Sequence, residues 1–303
     1  AQASGWLEGD ASPLLLQGDR LGWRRWLQAM EQVVAELVER AHAPLPKPVE
    51  AADPELSDRL NAEQCAAVRA LDQASVVLLS GGPGTGKTST VVEILARAEA
   101  RHPGLRIGLA APTGKAARRL GEAVMAQRAP LPCSTLHRWL EAGSRGFGRH
   151  RQRPLELDLL VIDEMSMLDL ALTQALLEAL PSGCRLLLVG DPAQLPPVGS
   201  GAVWHRLQQS DVRGRFGAGA VHLERTYRNR GALAHVAQQL RQGDMQAFAA
   251  DLAALPEQAN LQVHPWPLRR FPALVRQRWI QRLQQLQALT VDLDRCTEQE
   301  LMA

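Results

Sequence analysis

The stretch LLSGGPGTGKTSTVVEIL, residues 78–95, decides the fold of this chain. It begins as an apolar run, turns through four glycines within six residues, and continues as a helical pattern. Residues 81–88 match G-x-x-x-x-G-K-[ST] in the strand-to-helix context that this pattern requires. Backbone N–H groups of such a loop, with the N-terminus of the following helix, bind phosphate groups. The stretch therefore predicts a nucleotide site, and its context disfavours the alternative, a glycine-rich turn without a ligand.

Individual positions of this loop have distinct predicted roles. Lys87 is expected to reach the β- and γ-phosphates, and Thr88 to hold Mg²⁺. Lysine is rare in the chain, with three lysines among 34 basic residues, and a compact ammonium is a point-charge phosphate binder that a planar guanidinium does not replace. The nucleotide-binding residues predicted in the loop are Gly82, Pro83, Gly84, Thr85, Gly86, Lys87, Thr88 and Ser89.

Two later apolar runs end in residues suited to hydrolysis. In LLVIDEMSM, residues 159–167, Asp163 is expected to enter the Mg²⁺ shell and Glu164 to polarise the attacking water. In LLLVGDPAQLPPVGSG, residues 186–201, Gln194 lies in a proline-rich loop, where a glutamine can sense the γ-phosphate. A GTPase is excluded because the chain has no guanine-reading N-K-x-D segment, whereas a nucleoside kinase stays open.

The remaining pattern predicts an α/β protein with a parallel sheet. Continuous apolar runs (SVVLLS, RIGLAAP, LDLLVIDE, CRLLLVGD and GAVHLER) alternate with helical stretches, as in sheets covered on both faces. Residues 12–41 predict a short strand, a turn and an amphipathic helix, followed by a proline-rich linker at 42–56. Residues 141–157 form a basic excursion with the character of a hairpin, and helices are predicted after residue 231. The predicted apolar face of the N-terminal helix contains Trp23, Trp26 or Leu27, Met30, Val34 and Leu37.

Composition indicates an ordinary globular protein. Apolar residues make up 46% and charged residues 22% of the 303 residues, with a formal net charge of +2. The four cysteines are far apart and show no metal-ligand spacing, which favours free thiols in a cytoplasmic protein. No apolar run reaches the length of a membrane span, and no secretory signal is evident. The first and last residues suggest a piece of a longer protein.

Seven motifs in a fixed order resemble those of the superfamily-one helicases, and most closely those of the RecD family, the alpha subunits of exodeoxyribonuclease V. The resemblance covers roughly residues 12–245. Its ordered set is far more specific than any single motif. The motifs are LNAEQCAAV, SGGPGTGKTST, APTGKAARRL, STLHRWL, VIDEMSM, GDPAQLPPVGSG and LERTYRN.

The resemblance implies further site residues. Gln64 corresponds to a glutamine that reads adenine, and Arg228 to an arginine that reaches the γ-phosphate. The implied catalytic residues are thus Lys87, Asp163, Glu164, Gln194 and Arg228. The implied contacts to single-stranded DNA are Thr113, Gly114, Lys115, Thr135 and His137. The basic excursion lies where the family inserts a strand-separating pin, although an ordinary solvated loop fits its four arginines equally well.

The same resemblance implies a division into domains. Residues 1–53 would form a partner-docking unit and linker, residues 54–219 a RecA-like ATP-binding motor domain, and residues 220–303 the beginning of an incomplete second motor domain. Two later helicase motifs, including an arginine finger, are absent after Arg228. Because such an arginine contributes about 10³–10⁵ in rate, this chain is expected to bind ATP better than it hydrolyses it.

The implied function is an ATP-dependent 5′ to 3′ DNA helicase and translocase in double-strand break repair and recombination. Its implied partners are single-stranded DNA and the nuclease-helicase and scaffold subunits of an exodeoxyribonuclease V complex, with ATP and Mg²⁺ as cofactors. Two alternatives stay open: a nucleotide-gated binding or scaffold module without full motor activity, and an RNA helicase of the same superfamily, because the motifs do not read the sugar.

Overall fold

The computed structural model of the chain describes residues 12–17, 20–45, 60–227 and 245–254, with isolated positions at 6, 239, 240, 243, 273, 276, 277, 279–281, 283 and 284. It divides into two compact units, residues 1–230 and 231–303.

The first unit is built on a six-stranded parallel sheet. Its strands are β3 (Val76–Gly81), β4 (Ile107–Ala111), β5 (Cys133–Thr135), β8 (Leu159–Ile162), β9 (Arg185–Gly190) and β10 (Ala220–Leu223). They lie in the order β10-β3-β9-β8-β4-β5, so strands distant in the sequence become neighbours. This arrangement confirms the predicted α/β fold with a parallel sheet.

Helices cover both faces of this sheet. The described helices are α1 (Arg24–Ala41), α2 (Ala62–Ala70), α3 (Lys87–Arg101), α4 (Gly114–Met125), α5 (Leu136–Trp139), α6 (Leu170–Ala179), α7 (Val203–Gln208), α8 (Ser210–Arg213) and α9 (Met245–Ala253), with 3₁₀ turns at Met165–Met167 and Gly214–Gly219. Side chains of α1, α6 and α7 form one apolar core layer, and side chains of α2, α3 and α4 form the other. Every residue of β3, β4, β8 and β9 is buried, which explains why these strands lack alternating polar positions.

The N-terminal helix is part of the first unit's core. A two-stranded antiparallel hairpin, β1 (Leu14–Gln17) and β2 (Arg20–Trp23), leads into α1, which packs against α6, α7 and β3. The Arg40 guanidinium donates to the carbonyl oxygens of Pro181, Leu177 and Leu180 at 3.0–3.4 Å, near the end of α6. The helix that the sequence placed in a separate docking unit therefore belongs to the core of the first unit.

The apolar face of α1 differs from its prediction at the first turn. Val34 and Leu37 are buried as expected, whereas Trp23 and Trp26 are each 40% exposed. Of the two alternatives at that turn, Leu27 is the more buried. The physical reason is that the core begins only at Val33, so the tryptophans stay at the surface beside the hairpin.

The basic excursion contains the predicted hairpin, with β6 (Ala142–Gly143) paired to β7 (Gly146–Phe147). Glu141, whose φ of 52° is in the left-handed region, forms salt bridges with Arg149 and Arg153. Leu155 and Leu157 are buried, so the excursion returns to the core before residue 157.

The C-terminal boundary also differs from its prediction. Strand β10 pairs in parallel with β3, so residues 220–223 complete the sheet of the first unit rather than begin a second domain. In the second unit the structure describes α9, whereas most of the helices predicted after residue 231 lie outside the described residues, as do linker residues 46–59. Among the described residues, no helix has the length and apolar composition needed to cross a membrane.

Candidate nucleotide site

The loop between β3 and α3 has the backbone that its glycines predict. Gly84 and Gly86 adopt φ values of 78° and 85°, which L side chains rarely adopt. A Cβ at Gly86 would lie 2.7 Å from Nε2 of Gln64, so this position also lacks space for a side chain. Thr85 is buried and donates its hydroxyl to the Gly82 carbonyl at 2.9 Å, which fixes the loop from inside.

Lys87 begins α3 and faces back over the loop. Its Nζ donates to the carbonyl oxygens of Gly81 at 2.6 Å and Gly82 at 2.9 Å. The ammonium is thereby held beside the loop, and Lys87 lines a cavity of about 760 Å³. The residues that line the cavity are Pro83, Gly84, Gly86, Lys87, Thr88, Ser89, Thr113, Lys115, Ala116, Arg119, Leu120, Asp163, Glu164, Met167, Gln194 and Tyr227.

The predicted carboxylate pair opens on the same cavity. Asp163 follows β8, where its backbone N–H donates to Ala110 O, and its Oδ1 accepts the Glu164 N–H at 2.9 Å. Burial raises the pKa of Asp163, and the negative charge of Glu164 raises it further. The hydrogen bond from the Glu164 N–H lowers this pKa. The charges of Lys87 and Arg119 also lower it. Asp163 is thus a carboxylate whose surroundings favour an added cation.

Glu164 itself lies in the left-handed region, with φ 56° and ψ 44°. A non-glycine residue in this conformation is strained, and such residues cluster at functional sites. The turn directs the chain from β8 into a 3₁₀ turn and leaves both acidic side chains on the cavity wall.

Gln194 is held in place by a neighbouring hydroxyl. Its Oε1 accepts the Ser166 hydroxyl at 2.8 Å, and Ser166 is fully buried. Because the carbonyl end is occupied, the amide N–H groups are the end of the side chain left for a ligand in the cavity.

Gln64 lies behind the loop rather than in the cavity lining. It is 4% exposed and forms a capping box with Asn61, in which its Oε1 accepts the Asn61 N–H at 3.1 Å. Its Nε2 faces Gly86. The side chain is therefore fixed against the loop with its amide donor directed toward it.

Tyr227 is a cavity residue that sequence reasoning missed. Its N–H donates to Gly84 O at 2.7 Å, its hydroxyl accepts from Asn61 Nδ2 at 2.9 Å, and the Arg225 guanidinium lies 5.3 Å from its ring centroid. The available signal was its position next to Arg228 in LERTYRN. Arg228 lies outside the described residues.

The residues predicted to contact DNA do not form one group. Thr113 and Lys115 line the nucleotide cavity, and Gly114 begins α4 between them. Thr135 instead caps α5 by accepting the Arg138 N–H at 3.3 Å, and His137 is exposed on the same short helix. The DNA role of these five residues remains a prediction.

The residues present fit Mg²⁺. Thr88 and Asp163 both line the cavity and offer the hard oxygen ligands that Mg²⁺ prefers, usually one or two carboxylates plus substrate phosphates. The described part of the chain has no cluster of three or more His, Cys, Asp or Glu side chains suited to a metal.

Known families and proteins match this part of the chain. Residues 64–200 match the family described as AAA domain. The chain is 47% identical over 142 residues to the ATP-dependent RecD2 DNA helicase of Deinococcus radiodurans, covering 47% of this chain and 19% of that protein. It is 40% identical over 233 residues to the RecBCD enzyme subunit RecD of Mycolicibacterium smegmatis, covering 70% and 41%.

These relatives confirm the resemblance to RecD that the ordered motifs predict. The chain spans less than half of the length of either relative. Among solved structures, the Pif1 helicase from Candida albicans matches 73% of this chain and 54% of its own, with 22% identity and a TM-score of 0.46.

Proposed function

We propose that this chain contains the ATP-binding motor domain of a DNA helicase of the RecD type. The main supporting observation is that the phosphate-binding loop and the Asp163–Glu164 pair line one cavity. Lys87 and Asp163 are 76 positions apart in the sequence. A binding module would need the loop but not a carboxylate placed to activate water.

The residues have distinct proposed roles in ATP hydrolysis. Loop N–H groups and Lys87 bind the phosphates, while Thr88 and Asp163 hold Mg²⁺, which supplies charge neutralisation there. Glu164 acts as the general base toward water. Gln194, held by Ser166, directs its amide N–H groups to the terminal phosphate.

The base of the nucleotide is proposed to lie toward Gln64 and Tyr227. Gln64 presents an amide donor near Gly86, and the Tyr227 ring forms part of the cavity wall. The Tyr227 ring offers a face on which adenine can stack. Gln64 is buried behind the loop, so it would pair with the base edge only after its capping bonds to Asn61 open.

Translocation along DNA is proposed to need residues outside this motor domain. Alternating ATP binding and hydrolysis would drive 5′ to 3′ translocation, with Thr135 and His137 among the contacts to single-stranded DNA. Arg228 would complete the γ-phosphate site. Since an arginine supplied to the terminal phosphate adds about 10³–10⁵ in rate, hydrolysis by this chain is expected to be weak.

The exposed tryptophans offer a surface for another subunit. Trp6, Trp23 and Trp26 contact one another in sequence, with ring centroids 6.5 Å and 6.4 Å apart, and Arg25 lies over two of them. We propose that this surface docks on a nuclease-helicase or scaffold subunit of an exodeoxyribonuclease V complex that acts in break repair in the cytoplasm. Because α1 is part of the core, the test is Trp23→Ser with Trp26→Ser in a co-purification experiment; unchanged association would contradict the proposal.

The central test is ATPase activity with and without single-stranded DNA. The wild type is expected to show weak, DNA-stimulated hydrolysis that Lys87→Ala abolishes. Glu164→Gln is expected to retain ATP binding while losing hydrolysis by about 10²-fold or more. Equal hydrolysis by wild type and Lys87→Ala would place the activity elsewhere. Stimulation by RNA but not DNA would favour the RNA helicase.

A further inference from the structure

Helix α4 presents two cations to the nucleotide cavity. Lys115 and Arg119 are four residues apart, so they lie on one face of the helix, one turn above the other. Both line the cavity. Leu120 and Val124 of α4 are buried in the core and fix the helix in this orientation.

These two cations have no partner within the described part of the chain. Neither Lys115 nor Arg119 forms a hydrogen bond or salt bridge there, although both are exposed at the cavity. Arg97, Arg149 and Arg206, in contrast, each pair with a carboxylate. Arg119 shares the cavity wall with Asp163 and Glu164.

The sheet order separates these cations from the Gln64 and Tyr227 side of the loop. Gln64 and Tyr227 contact the loop at Gly86 and Gly84, beside α2 and β10. In the other direction from β3 come β9, then β8 with the acidic pair, and then β4, which leads into α4. A nucleotide whose base lies toward β10 has its terminal phosphate toward α4.

We propose that Lys115 and Arg119 contact the terminal phosphate of ATP, so that α4 distinguishes ATP from ADP. This inference rests on the proposed nucleotide site and departs from the DNA-contact role that the family resemblance implies for Lys115. The first motor domain would then sense the γ-phosphate through its own helix, in addition to any arginine supplied from elsewhere in the chain.

The test compares nucleotide and DNA affinities of Lys115→Gln, Arg119→Gln and a matched control. The control is Arg118→Gln on the same helix, an exposed residue that does not line the cavity. Affinities for ATP and ADP with Mg²⁺, and for a fluorescein-labelled oligothymidine without nucleotide, are measured on the full chain. All three residues are exposed, so the substitutions leave the core unchanged.

Arg119→Gln and Lys115→Gln are each expected to weaken ATP binding about tenfold, as for loss of one charge-assisted hydrogen bond, and ADP binding less than about twofold. Arg118→Gln should change neither. An unchanged ratio of ATP to ADP affinity overturns the inference, and weakened oligothymidine binding with that unchanged ratio assigns the pair to DNA instead. Lys87→Ala tests the proposed nucleotide site itself. If this variant binds ATP and ADP as tightly as the wild type does, the proposed site is wrong.

Discussion

At the scale of single residues, Asp163 is expected to serve hydrolysis while lowering the stability of the fold. Its pKa is raised, mainly by burial, so the folded protein binds this proton more tightly than the unfolded chain does. Ionisation at neutral pH therefore opposes folding, and this loss of stability disappears as the pH falls below the raised pKa.

We therefore expect Asp163→Asn to raise the midpoint of thermal unfolding at pH 7 without nucleotide, while abolishing Mg²⁺-dependent hydrolysis. The difference from wild type should shrink in acid, where the wild-type carboxyl group is protonated. Thermal unfolding at several pH values measures this.

Asp158 provides a control, because its pKa is shifted in the opposite direction. Arg106 hydrogen-bonds to it and lowers its pKa, so its ionised form stabilises the folded state above its unfolded pKa. Asp158→Asn should lower stability at pH 7 by about 1 kcal/mol or less, because the pair is partly exposed. The same sign of change in both variants would contradict the assignment for Asp163.

Two glycines with the same backbone φ allow the effect of backbone strain to be distinguished from the effect of a steric clash. Gly86 and Gly104 have φ values of 85° and 84°, but a Cβ would meet Gln64 only at Gly86 and nothing within 4 Å at Gly104. Both Ala variants should lose about 1 kcal/mol through the backbone. Only Gly86→Ala should also weaken nucleotide binding, by about tenfold or more, as measured by titration with a fluorescent ATP analogue. Equal nucleotide affinity in the two variants would show that this contact is unimportant.

At the scale of secondary-structure elements, the Arg40 side chain hydrogen-bonds α1 to the end of α6. Arg40 donates to three carbonyl oxygens near the end of α6 and pairs with Glu36. Arg40→Ala leaves these acceptors without that donor, so we expect it to lower the free energy of unfolding by about 1–3 kcal/mol in denaturant titrations. Arg25→Ala, at the exposed start of α1, should cost less than about 0.5 kcal/mol.

The same helix shows why elements are easier to predict than their partners. Spacing of Val34 and Leu37 was enough to predict an amphipathic helix, since periodicity shows which side is apolar. It does not show what covers that side. The contact of Arg40 near the end of α6 depends on a residue 141 positions away, and so α1 was assigned to a separate unit.

At the scale of the whole molecule, nucleotide binding should stabilise the first unit. A ligand that binds only the folded state at 100 times its Kd adds about 2.7 kcal/mol. ATP with Mg²⁺ at that concentration should raise the unfolding midpoint of the wild type but not of Lys87→Ala. A shift of equal size in the variant would show that the nucleotide binds at another site.

Most of the site was predictable because each motif follows a parallel strand. The carboxyl ends of parallel strands meet at one edge of the sheet, so Lys87, Asp163 and Gln194 had to come together. Tyr227 and Arg119 were missed for a different reason. Neither has a characteristic motif chemistry, and their places in the cavity depend on how β10 and α4 pack, which residue spacing does not specify.

The hydrogen bond from Tyr227 to Gly84 connects the phosphate-binding loop to the end of the first unit. Tyr227 stands three positions before residue 230, where the first compact unit ends, and its N–H is bonded to the loop expected to wrap the phosphates. If Gly84 shifts when ATP enters or its products leave, Tyr227 has to follow it or lose that hydrogen bond. A change at the phosphate-binding loop would then reach a residue three positions before the end of the first unit.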